Sequence, residues 1–104
     1  MNISLKEAAE KLSGSDGLFI ELFNHGTLIV EFYKPEKTDD QKPHDRDEIY
    51  VVASGEGMFF NDGKYVKFKV GEFLFVKAGK EHRFENFTDD FSTWVFFYGP
   101  KGGE

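Results

Sequence analysis

The sequence has no cysteine. That absence excludes disulfides, thiolate metal sites and cysteine nucleophiles, and it fits a reducing compartment. A surplus of positive charge is also lacking: the formal net charge is −6. Nucleic acids and anionic membrane surfaces need a basic footprint, so neither is an expected partner. No apolar run approaches the roughly 20 residues of a membrane span. The opening "MNISLKEAAEKL" is amphipathic and carries acids rather than being ordered like a signal peptide. Cytoplasmic localisation is the expectation. The paired acids Asp39-Asp40, Asp45 with Asp47, and Asp89-Asp90 lie in polar stretches and read as solvated loops.

What the chain does have is phenylalanine, 13 residues of it in 104, with aromatics at 17%. Large rings let a short chain bury much apolar area from few positions. The length fits one domain spanning 1–104.

Residues 4–12 read as a helix. Ser4 and Glu7 form an S-x-x-E capping box, and Leu5, Ala8, Ala9 and Leu12 share a face. Everything after it reads as strand and turn. "LFIELF" meets "TLIVEFY" across Asn24-His25-Gly26. "EIYVVAS" follows, then "MFFND" and "GKYVKFKV" around Asn61-Asp62-Gly63. In the latter, Val66, Phe68 and Val70 alternate with Tyr65, Lys67 and Lys69, which predicts one buried and one wet face. "EFLFVKA" and "STWVFFYG" complete the set. Trp94–Tyr98 is apolar on both faces, which predicts core on one side and a partner subunit on the other. Many short strands with one helix make the fold class all-β, a sandwich or barrel.

The stretch "PHDRDE" holds His44 and Glu48. On one straight strand they would sit about 13 Å apart at ~3.3 Å per residue. A shared ion needs donor atoms within roughly 2–2.2 Å of it. The expectation is therefore a bend at "DRD", with His44 ending one strand and Glu48 starting the next. In "GEFLFVKAGKEHRFEN", a turn at Ala78-Gly79-Lys80 predicts that His82 starts a strand returning beside the previous one. His82 would then face the same pocket.

These two stretches resemble the paired motifs of the cupin superfamily. His44, three residues, Glu48, six residues and Gly55 match the second half of G-x5-H-x-H-x(3,4)-E-x6-G. Gly71, Gly79, His82 and Asn86 match G-x5-P-x-G-x2-H-x3-N, with Lys77 in place of its proline. The resemblance implies a jelly-roll β-barrel, the double-stranded β-helix, with a short N-terminal helix. It also implies frequent homodimers and a metal ion held by His44, Glu48 and His82. The departure is Lys42, which stands where the family's first histidine falls. An ammonium has no lone pair to give a metal. Three arrangements follow. Lys42 can point away, leaving two histidines and one carboxylate with open positions, a set suited to iron, nickel, manganese or zinc. Gln41 can supply an oxygen. Or Lys42 can pair with Glu48, making a metal-free pocket for an anionic ligand.

On the metal reading, a small molecule reaches the open positions, and dioxygenation, isomerisation or decarboxylation are the reaction classes. A metal-independent sugar epimerase or isomerase is the alternative, with His44 or His82 as general base and Tyr50 as acid. Tyr50, two residues beyond Glu48, would line the pocket in either case. A protein-interaction role through Trp94–Tyr98 is a third. His25 reads as a turn residue. Met58, Phe60, Phe73, Phe75, Phe84, Trp94 and Phe96 read as core or pocket wall. No nucleophile–base–acid set and no phosphate loop is visible.

Overall fold

The computed structural model describes residues 1–104: one helix, then eight strands in two antiparallel sheets. Helix α1 spans Leu5–Ser13. Its capping box forms as expected, with the Glu7 N–H donating to Ser4 Oγ at 3.0 Å and the Ser4 N–H donating to Glu7 Oε1 at 3.4 Å. Ala8 and Leu12 are its buried face, packed on Phe32 with Trp94 at the margin.

The strands are β1 Phe19–His25, β2 Leu28–Tyr33, β3 Asp47–Ser54 and β4 Glu56–Asn61. They continue as β5 Lys64–Lys69, β6 Phe73–Val76, β7 His82–Glu85 and β8 Ser92–Tyr98. The larger sheet runs β1-β2-β8-β3-β6 and the smaller β5-β4-β7. Between them lies the core, built from Tyr50, Val52, Phe59, Phe68, Phe84 and Phe91 with smaller neighbours.

Several local expectations shift. His25 ends β1, paired with Leu28, so the hairpin turn is Gly26-Thr27. Asp62 and Gly63, both at positive φ, make the other two-residue turn. On β5 only Phe68 is buried; Val66, and Val70 just past the strand, are exposed. β5 is an edge strand of the smaller sheet.

The larger difference concerns β7. It does not return beside β6. Val76 of β6 pairs with Glu48 of β3, whereas His82 of β7 pairs with Asn61 of β4. The Ala78–Lys80 turn therefore carries the chain from one sheet to the other. Sequence period and turn residues specify a change of direction, and they do not specify the next neighbour.

Register across the larger sheet lines up Phe23, Val30, Phe96, Ile49 and Phe75 in one row on its outer face. The next row holds Ile20, Phe32, Trp94, Val51 and Phe73. Helix α1 covers the Phe32–Trp94 end. Phe73 and Phe75 remain 63% and 43% exposed, so they are neither core nor pocket wall. Strand alternation accounts for this: Leu74 and Val76 take the inner face and leave their neighbours outside.

Candidate metal centre

His44 is delivered by an irregular segment, not by the end of a strand. A bend at Asp45-Arg46 separates it from Glu48, the second residue of β3. This bend solves the spacing problem posed by a straight strand. The His44 carbonyl accepts the Gly79 N–H at 2.7 Å, which fastens this segment to the crossing turn before His82. The two motifs thus hold each other in place through backbone.

His44 Nδ1 and His82 Nε2 each lie 3.1 Å from Glu48 Oε1. All three donor atoms fall within 4.8 Å of one another. Two ligands of one ion, each at about 2.1 Å, stand roughly 3.0–3.4 Å apart, so the two 3.1 Å separations suit a shared cation. Glu48 and His82 are each 1% exposed, yet Oε1 of Glu48 and Nδ1 of His44 have no aligned hydrogen-bond partner.

The tautomer of His82 sharpens the point. Its Nδ1 lies 2.9 Å from the Lys80 carbonyl, which can only accept, so Nδ1 carries a proton. In the neutral ring Nε2 is then a lone pair, facing Glu48 Oε1 and Gln41 Oε1, the latter at 3.1 Å. Lone pairs directed at one another require a proton or a metal ion between them. The titration behaviour agrees. Burial pushes the His82 imidazole down, but Glu48 and the Lys80 carbonyl raise its pKa overall. Burial pushes the Glu48 carboxyl up, but His44, His82 and Tyr50 hold it below its ordinary value. The site favours positive charge.

Gln41 and Asp39 form the surround. Gln41 Oε1 accepts from the Tyr50 hydroxyl at 3.1 Å, and Gln41 Nε2 donates to Asp39 Oδ2 at 2.7 Å. This fixes the amide with its oxygen toward the histidines. Asp39 also accepts the Phe84 N–H at 2.8 Å and the Tyr33 hydroxyl. Asp39 and Asp47 are 5% and 4% exposed, so they are not the solvated loop acids expected. Asp47 instead accepts the backbone N–H of Ala78 at 2.9 Å and of Glu104 at 3.0 Å. Asp89 and Asp90 are exposed, as expected.

Lys42 is exposed, does not line the cavity beside the site, and makes no ion pair with Glu48. The expected placement of Lys42 in the ligand pocket is therefore corrected: Gln41 points inward and its neighbour outward, as alternation in an extended segment dictates. Tyr50 does line the cavity, but it is 1% exposed and its hydroxyl donates to Gln41. Burial and the Glu48 carboxylate push its pKa well above the ordinary value. That makes it a poor general acid. His25 is exposed at a strand end, apart from the cluster. The cavity measures about 760 Å³, and its aromatic wall is Phe19, Tyr33, Tyr50 and Phe97.

A two-histidine, one-glutamate cluster inside a jelly-roll barrel is now in view, and the cupin-domain family profile matches residues 29–98. The chain belongs to the cupin family. Among curated relatives, an uncharacterised protein of Streptomyces coelicolor is 28% identical over 99 residues, covering 93% of this chain and 94% of its own. An oxalate-binding protein of Thermotoga maritima is 44% identical over 39 residues, 38% of this cupin and 32% of that protein. Among solved structures, a cupin 2 conserved barrel domain protein of Salinispora arenicola superposes with a TM-score of 0.65 at 18% identity. That match covers 78% of this chain and 74% of the other, and it bears on fold alone. No helix of this cupin is long and apolar enough to cross a membrane.

Proposed function

We propose that this cupin holds a divalent transition-metal ion on His44 Nδ1, His82 Nε2 and Glu48 Oε1, and binds a small molecule in the adjoining cavity. The observation that carries the reading is the buried Oε1 of Glu48, 3.1 Å from two imidazole nitrogens and without an aligned hydrogen bond. Gln41 Oε1, turned inward by Asp39, is the candidate fourth donor. Mixed imidazole and carboxylate donors suit iron, nickel, manganese or zinc. Such an ion would supply Lewis-acid chemistry, or oxygen activation if it is iron. The protein's own part is to orient the ligands through Lys80, Asp39 and Tyr50, and to present an aromatic wall to the molecule in the cavity. Isomerisation, decarboxylation and dioxygenation are the reaction classes to screen. The metal-free anion pocket lacks its supporting ion pair, because Lys42 is exposed. The end of the larger sheet's outer face that helix α1 leaves open, at Phe73 and Phe75, supports a homodimer, and the cysteine-free chain fits the cytoplasm.

The test is elemental analysis of protein purified without chelator or polyhistidine tag, beside His82→Ala. About one equivalent of metal, lost in the variant, is expected. Wild-type protein that takes up none of iron, nickel, manganese or zinc on incubation would overturn the proposal.

A further inference from the structure

We infer that the cavity selects a small organic cation, an ammonium or alkylammonium compound, and rejects dicarboxylates. The inference rests on the reading that a small molecule occupies this cavity, and it adds the charge of that molecule.

The lining carries four carboxylates, Glu31, Glu36, Asp40 and Glu48, and neither lysine nor arginine. None of Glu31, Glu36 or Asp40 engages in an ion pair within the protein. A divalent ion on the two histidines and Glu48 would offset Glu48 and one further charge, so the cavity stays negative even when loaded. An incoming dianion would meet this field with neither lysine nor arginine to receive it, and the net negative charge of the lining would repel it. Glu31 is one of these four. It stands half-buried on the inner face of β2, opposite Glu21 on one side and Val95 on the other. Carboxylates beside the aromatic wall formed by Phe19 and Phe97 combine the two features that recognise organic cations: negative charge and π faces. Burial, then repulsion from Glu48, raises the Glu31 pKa, an unfavourable state that a bound cation would relieve.

The experiment is calorimetric titration of the full chain, metal-stripped and zinc-loaded. The probes are choline against dimethylbutanol, its uncharged isostere, then butylammonium against butanol, and finally oxalate. At least one cation is expected to bind about tenfold or more tightly than its neutral counterpart, a difference of about 1.4 kcal/mol. Glu31→Gln should shrink that preference while zinc content holds. Oxalate or the neutral probes binding as well as the cations would overturn the inference, and so would no cation binding in either form. Zinc failing to load while the stripped protein still prefers the cation would count against the metal proposal alone.

Discussion

Glu48 occupies a position that a lone carboxylate could not hold, because burying an unpaired charge costs far more than a hydrogen bond returns. Its spacing from His44, and the matching spacing around His82, made these three residues legible in the sequence. Asp39 was not legible. It sits beside Asp40 in a stretch without hydrophobic period, and only its tertiary partners Tyr33, Gln41 and Phe84 separate it from a surface acid. Glu31 was hidden differently, within a strand whose alternation marks it as polar without revealing that it faces a cavity. Its raised pKa has a consequence for stability. The folded chain holds the Glu31 proton more tightly than the unfolded chain does. Stability therefore falls as pH climbs from the ordinary value of 4.5 through the raised one, and the penalty is complete above that. Glu31→Gln should melt at a higher temperature than wild type at neutral pH. The gap should close under acid conditions below 4.5. A variant no more stable at neutral pH would contradict this account of the residue.

Among the elements, helix α1 and the two tight hairpins were readable because their signals are local: a capping box, an apolar stripe and paired turn residues. The crossing from β6 to β7 was not, because the sheet a strand joins depends on partners distant in sequence. The glycine at the second-motif turn, Gly79, is at positive φ, as is Gly55 between β3 and β4. These two motif positions thus serve chain direction rather than chemistry. At Gly55 a β-carbon would lie 2.6 Å from Phe91 Cα, whereas at Gly63 it would meet nothing within 4 Å. Gly63→Ala should therefore cost only the left-handed backbone penalty, about 1–2 kcal/mol. Gly55→Ala adds a backbone collision and should cost about 3 kcal/mol or more. Urea denaturation distinguishes the two, and equal losses would remove close packing as the reason for glycine at the β3–β4 junction.

For the molecule as a whole, the outer face of the larger sheet is only part-covered. The expectation that both faces of Trp94–Tyr98 are covered is met at Trp94 by the chain's own helix. Toward Phe73 and Phe75 the same face stays exposed. If a second copy covers that end, wild type should run as a dimer in light scattering. Phe73→Glu with Phe75→Glu should run as a monomer with unchanged metal content. A wild-type monomer at the same concentration would refute self-association through this face. The sequence by itself determined an all-β domain with a capped helix, and it marked His44, Glu48 and His82 as one group, because strand period, turn chemistry and motif spacing are short-range properties. Only the tertiary structure decided that β6 and β7 part into different sheets, that Gln41 rather than Lys42 faces inward, and that Asp39 and Glu31 border the site. Those outcomes depend on which distant strands pair and on what each side chain meets when they do, and no local pattern encodes that.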